Sequence, residues 1–290
     1  MKIVIIGAGG RLGIALTREY RDKFEMVGFD HEDLDLANEA DIQALIEPLD
    51  FDVLINCAAF TNVDRCEKER EHAFKINAEA PKKLAQVCRD KKAKLIHFST
   101  DYVFDGGKRE PYRESDPANP ISVYGESKLA GEKNVLDVQD RHLIVRVSWV
   151  FGPHRPSFVD GLIKRAMEQE HVDAIADKFS APTYTHDIAT MLPRFFQTDV
   201  AGGILHFANA GECSWQEYAQ FALDCCRSLG IPLKARAVEP LKMSDMKNFV
   251  ARRPVYSVLS TQKYIALTGT TPRNWRDAVG EYVKNLYSPK

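Results

Sequence analysis

Short apolar runs, each followed by a stretch with one buried face, alternate along the first half of the chain. Ile3-Val4-Ile5-Ile6 lies in a strand predicted over 1–7, and a helix follows through about Tyr20. Met26-Val27-Gly28-Phe29-Asp30 predicts a second strand that ends in an acid. After Asp35-Leu36 a short helix is expected over 42–48, then a strand over 52–59 that closes on small residues. Helices are expected over 67–77 and 80–90. Lys94-Leu95-Ile96-His97-Phe98 has the alternating, β-branched character of a buried strand entering Ser99 and Thr100, and 142–149 predicts another. Strands alternating with helices argue an α/β chain with a doubly wound parallel sheet.

Beyond Gly152-Pro153 the alternation loosens. An amphipathic helix is expected over 158–168, a loop over 177–183, a short strand over 202–207, and helices over 215–229 and 275–286. Residues 251–259 read as loop, then extended chain. The chain therefore divides into a dinucleotide-binding domain, 1–150, and a smaller substrate-binding lobe, 151–290, with segments exchanged between them. No linker or low-complexity stretch separates the two.

Composition narrows the class. The 290 residues are 44% hydrophobic and 10% aromatic, enough for a globular core. A net charge of -2 with no long basic run argues against a nucleic-acid partner. The six cysteines form no C-x-x-C pair or disulfide frame and read as reduced thiols in a cytosolic protein. The apolar start is too short for a signal peptide's core, and no stretch approaches a membrane span. No Cys/His cluster suggests a metal, and no G-x-S-x-G elbow suggests a hydrolase. Arg146, alone in an apolar strand, reads as a paired interior charge.

The chemistry concentrates in two places. Gly7-Ala8-Gly9-Gly10-Arg11-Leu12-Gly13 joins the first strand to the first helix. Gly7, Gly10 and Gly13 permit a tight turn, close approach to a pyrophosphate and close helix–strand packing. The phosphates would meet the helix's free N–H groups. Asp30, 17 residues after Gly13, can hold adenosine ribose hydroxyls. The second place is Thr100 with Tyr124 and Lys128, which are four apart on one helix face. A phenol titrates near ~10, and an ammonium one turn away is expected to pull it toward neutrality. Thr100 could hold a substrate oxygen beside the phenol. A tyrosine and lysine at this spacing are ordinary by themselves; the glycine loop gives them a cofactor to work with. Arg252 and Arg253 could clamp a phosphate or form surface ion pairs.

With both motifs placed, the chain resembles the extended short-chain dehydrogenase/reductases, which have a Rossmann-like fold, and within them the dTDP-4-dehydrorhamnose reductase family. The resemblance rests on 7–13, Asn56 to Thr61 with Val63-Asp64, Ser99 to Phe104, Tyr124 to Lys133, Arg146 to Trp149, Phe179 to Thr183 and Ala251 to Pro254. It implies NADPH- or NADH-dependent reduction of the C4 keto group of a nucleotide-sugar, dTDP-4-dehydro-L-rhamnose. By this resemblance Tyr124 donates the proton, Lys128 binds the nicotinamide ribose and tunes the tyrosine, and Thr100 orients the carbonyl. Asp101 and Trp149 would touch the sugar. Gly10, Arg11, Leu12, Asp30, Asp35, Leu36, Ala58, Ala59 and Phe60 would line the cofactor, and a homodimer is a family-level expectation. Phe60 and Cys57 stand where family members often carry histidine and alanine.

Two other readings compete. The regulatory subunit of methionine adenosyltransferase resembles the same family and keeps similar S-T-D-Y-V-F and Y-G-x-x-K strings, so a non-catalytic NAD(P)-binding protein is the alternative. Trp149 after Arg146-Val147-Ser148 favours the reductase. A dehydratase would want an Asp-Glu pair beside Thr100, where this chain has Asp101-Tyr102. The sequence leaves NADH against NADPH open, because Asp30 repels a 2′-phosphate while Arg11, in the glycine loop, is placed to offset that repulsion.

Overall fold

Six parallel strands form the centre of the computed structural model, which describes residues 1–197 and 201–288. They are β1 (Lys2–Ile6), β2 (Glu25–Phe29), β3 (Val53–Asn56), β4 (Lys94–Thr100), β5 (Leu143–Val147) and β6 (Gly203–His206). Their order across the sheet is β6-β5-β4-β3-β1-β2. β1 therefore has β2 on one side and β3 on the other, and the chain reverses its winding direction between β1 and β3. In such a sheet the crevice at the carboxyl ends of those two strands is the natural ligand site.

The inner strands are mainly apolar on both faces because both faces are covered, whereas the edge strand β2 is largely exposed. On one side Ile3, Ile5, Val53, Ile55 and Ile96 pack with Leu16 and Tyr20 of α1 (Arg11–Tyr20). On the other, Val4, Ile6, Leu54 and Leu95 pack with Leu84 and Cys88 of α2 (Ala80–Asp90). Each fully buried aliphatic side chain contributes roughly 1.5–3 kcal/mol. Helix α3 (Val123–Val138), capped by the Ser122 hydroxyl on the Gly125 N–H, carries Tyr124 and Lys128. A separate core joins α4 (Phe158–Glu168), α5 (Trp215–Ser228) and α6 (Trp275–Tyr287) around Tyr218, Trp275 and Tyr282.

The doubly wound parallel sheet is as expected; some boundaries differ for local reasons. The short helix spans Glu39–Leu45 rather than 42–48, because Asn38 caps it by accepting from the Ala40 N–H. The helix expected at 67 begins at Val63, where Asn62 accepts from the Arg65 N–H. It breaks at Glu69, and a second helical segment, Arg70–Phe74, runs into α2 through a π turn, Lys75–Glu79. The strands expected over 52–59 and 142–149 stop at Asn56 and Val147, freeing the following residues for the crevice. A parallel pair, Val172–Ile175 with Val238–Leu241, and a helix over Gln262–Thr268 were not anticipated. β6 extends the sheet beside β5 although it lies beyond residue 150, and Thr185–Met191 packs on α1.

Candidate active site

One cavity of about 690 Å³ opens at the carboxyl ends of β1, β3 and β4. The glycine loop forms one end of it. Gly7 has φ 81°, and a Cβ there would stand 2.8 Å from the Ala58 nitrogen, so the turn admits only glycine. A Cβ on Gly13 would come within 2.0 Å of the Gly7 carbonyl oxygen; this glycine serves packing and does not line the cavity. Gly10 precedes α1 with no side-chain cap, and no acid occupies the first turn. The N–H groups there face a space that an anion can enter, and this cradle fits a dinucleotide's pyrophosphate. Ala58, Ala59 and Asp30 line the same space, and a Cβ on Gly9 would touch the Asp30 side chain at 3.0 Å.

At the other end stand Thr100, Tyr124, Lys128, Asp101 and Trp149. The phenol of Tyr124 is hydrogen-bonded with Thr100. The Thr100 hydroxyl donates to Asp101 Oδ1 at 3.1 Å and accepts from the Tyr102 N–H at 3.2 Å. Asp101 is buried and also accepts from Ser257 at 2.5 Å. Burial raises its carboxyl, while nearby Lys178 acts in the opposite sense.

Lys128 is 1% exposed. Its Nζ donates to the Phe98 carbonyl at 2.7 Å and lies 3.3 Å from His97 Nε2. Burial brings its ammonium down to about 8 against the pull of Glu132. The expectation that this ammonium lowers the phenol is not met. Burial pushes Tyr124 above the ordinary phenol value, the Thr100 bond opposes that shift, and Asp101 adds to it.

Several residues expected at the site lie elsewhere. Leu36 is buried in the core beside Ile42, and Asp35 is exposed, its carboxylate accepting from Ala37 and its N–H donating to Asp41; neither lines the cavity. Phe60 turns outward against His72 and under Arg65. Arg253 is bound to Asp64 at 2.7 Å and stacks 3.5 Å from the Phe249 ring centroid, so the ion-pair reading holds for it. Arg252 is exposed away from the cavity. Leu12 and Arg11 do line it, but the Arg11 guanidinium is spent on three carbonyls of the 150–156 segment: Val150 at 3.0 Å, Arg155 at 3.3 Å and Pro156 at 2.5 Å. Arg155 also lines the cavity, and its Nε donates to the carbonyl of Gly9, the residue whose Cβ position meets Asp30.

Sequence reasoning also passed over Asn77, His97 and Lys178. Asn77, in the π turn, holds Phe60 through its N–H and carbonyl and reaches Ser127 at 3.0 Å, joining that loop to α3. π turns cluster at functional sites, but nothing in the local pattern predicts this one. Lys178 is fully buried, donates to the Pro254 carbonyl at 2.6 Å and lies over the Tyr102 and Trp149 rings. Trp149 sits at φ 40°, a left-handed conformation costly for a bulky residue, and its Nε1 is buried without an acceptor among the described residues.

Over residues 1–288 the chain matches the family described as the RmlD substrate binding domain. It belongs to that family. Among relatives, the dTDP-4-dehydrorhamnose reductase of Mycolicibacterium smegmatis is 37% identical, covering 97% of this chain and 85% of the relative. The spore coat polysaccharide biosynthesis protein SpsK of Bacillus subtilis is 34% identical, covering 99% and 98%. Among solved structures, the dTDP-4-dehydrorhamnose reductase of Bacillus anthracis in complex with NADP superposes with a TM-score of 0.91 at 32% identity, covering 98% and 99% of the two chains. The match thus covers the six-stranded sheet and the helices that follow it. Among the described residues no helix is long and apolar enough to cross a membrane, and no group of three or more potential ligands could hold a metal ion.

Proposed function

We propose that the chain reduces the C4 keto group of dTDP-4-dehydro-L-rhamnose to dTDP-L-rhamnose with NADPH or NADH, for cell-surface polysaccharide. The observation that carries this reading is the convergence of Thr100, Tyr124 and Lys128 at one end of a cavity whose other end is the glycine cradle. When bound, the nicotinamide supplies the hydride; the chain supplies placement and a proton. Thr100 orients the carbonyl oxygen, Tyr124 protonates it, and Lys128 binds the nicotinamide ribose. Trp149, with its unpartnered Nε1, and Asp101 meet the sugar nucleotide. The names of the relatives favour a reductase over a regulatory subunit. Residues 1–150 would bind the dinucleotide and the remainder the substrate, with β6 and Thr185–Met191 lent back to the first part. We place the enzyme in the cytoplasm as a homodimer; its six cysteines are all free. The test is oxidation of NADPH and NADH at 340 nm with the keto-sugar: no oxidation with either cofactor removes the proposal.

Lys128→Met is expected to weaken dinucleotide binding and slow turnover together. Because burial holds Lys128 near 8, its ammonium is present below that pH and lost above it. Dinucleotide affinity should therefore fall as pH rises past about 8 in the natural protein and stay flat in the variant. Titrations by cofactor fluorescence from acid to alkaline pH measure this, and identical curves for the two proteins would reduce Lys128 to a packing residue.

Cofactor choice follows from the rearranged arginines. Asp30 opposes a 2′-phosphate, and Arg155, not Arg11, is the cation placed to accept one. Asp30→Ala should raise the NADPH-to-NADH ratio of kcat/KM roughly tenfold, and Arg155→Ala should lower it by about as much. Arg11→Ala, which frees the 150–156 loop, should weaken both cofactors alike. A ratio that moves only in Arg11→Ala would return the role to that residue.

A further inference from the structure

Asn56 is buried at the end of β3 and both ends of its amide are engaged. Its Oδ1 accepts from the Ala58 N–H at 3.1 Å, which fixes the amide's orientation. Its Nδ2 then points at His97 Nδ1, 3.1 Å away. An amide nitrogen can only donate, so His97 Nδ1 must accept. His97 is fully buried, and burial holds its imidazole well below the ordinary histidine value, so the ring is neutral. A neutral imidazole that accepts at Nδ1 carries its proton on Nε2. That Nε2–H is aimed at Lys128 Nζ, 3.3 Å away.

An ammonium has no lone pair with which to accept from an N–H; a neutral amine has one. We infer that Asn56 and His97 are a positioning pair that stabilises the neutral amine of Lys128, so that this lysine can give up a proton during each turnover. The other groups facing Lys128 do not cancel this. Glu132 favours the ammonium, but its carboxylate is held by Arg146 and Ser99. Cys57, on the β3 side, is kept as the neutral thiol by burial. Tyr124, one turn earlier on α3, is held protonated, also by burial.

The consequence concerns the step after reduction. Once Tyr124 has given its proton to the carbonyl oxygen, a phenolate remains in a buried site that strongly favours the phenol. The Lys128 ammonium, which lines the same cavity, is the source of the proton that restores it: an N–H bond breaks and the phenol O–H re-forms. The amine left behind accepts from the His97 Nε2–H while still donating to the Phe98 carbonyl, and takes its next proton from water. Lys128 thus acts as the reloading acid, and the Asn56–His97 pair keeps its empty state available. The carbonyl-reduction step rests on the proposed activity; the tautomer does not.

Long-range ¹H–¹⁵N spectra of the full, ligand-free chain read the tautomer directly, with His97→Gln assigning the signal. The expected result is the Nε2–H tautomer across the neutral range; an Nδ1–H tautomer overturns the inference whether or not the chain is a reductase. The second measurement uses Asn56→Asp. Its carboxylate accepts from Nδ1–H and so turns the tautomer round, presenting a lone pair from Nε2 to the ammonium. The alkaline limb of NADP⁺ affinity should then move up by about one pH unit or more, since one unit is a tenfold change in proton affinity. A limb that stays in place or moves down, in a variant whose tautomer has turned, also overturns it. If the natural protein binds no dinucleotide, the reductase reading fails, and the tautomer spectra still decide the pair.

Discussion

Tyr124→Phe should lower kcat by roughly 10²–10⁴-fold, the usual worth of a positioned acid, and leave dinucleotide and nucleotide-sugar binding close to normal. The ring and its edge contact with Tyr102, centroids 5.5 Å apart, survive the change, and only the hydroxyl is lost. That hydroxyl is the group through which Tyr124 meets Thr100, and Thr100 is in turn tied to Asp101 and to the Tyr102 N–H. The acid is thus held by a partner that is itself fixed, as a proton donor to a single carbonyl oxygen requires. Burial raises the phenol, so near neutral pH Tyr124 is protonated and ready to donate, the form a reduction needs. Steady-state kinetics with the keto-sugar, together with binding titrations, separate the outcomes. A kcat within threefold of the natural enzyme would assign the proton to another group; a loss confined to KM would make Tyr124 a binding residue.

What could be read from the chain beforehand followed from local patterns. Ile3 to Ile6 running into Gly7, and the four-residue step from Tyr124 to Lys128, are contiguous signals, and both ends of the cavity were legible from them. What was not legible depends on pairs distant in sequence. Arg11 turned to Val150, Arg155 and Pro156, and Arg155 came back to Gly9, because a guanidinium's five donors take the carbonyls an opposing loop offers. Asp35 and Leu36 follow β2 as cofactor residues in such folds often do, yet the packing of Leu36 against Ile42 draws that segment into the core. The lowering of Lys128 and the raising of Tyr124 come from burial, which no spacing rule reports.

Arg146 was legible as an interior charge in search of a partner, and its partner carries the largest expected loss of stability. Glu132, one turn beyond Lys128 on α3, meets Arg146 of β5 through two bonds, 2.9 and 2.6 Å, with both side chains 2% exposed. The same carboxylate accepts from Ser99, beside Thr100 on β4, at 2.5 Å. One acid therefore fixes the helix bearing Tyr124 and Lys128 to the strand bearing Thr100. Glu132→Leu removes it and leaves a buried guanidinium whose Nη1 already lacks a partner among the described residues, with the face of Phe104, 5.1 Å from its centre, for compensation. Breaking one side of such a pair costs about 3–5 kcal/mol, which for a chain of this size lowers Tm on the order of 10 °C. Arg146→Met alone should cost a similar amount by stranding the carboxylate. The double variant should recover most of the loss, because an apolar pair of similar volume removes both charges. Thermal unfolding of the three variants and the natural protein measures the cycle; if the double variant is no more stable than either single one, the two side chains act through packing and not through their charges.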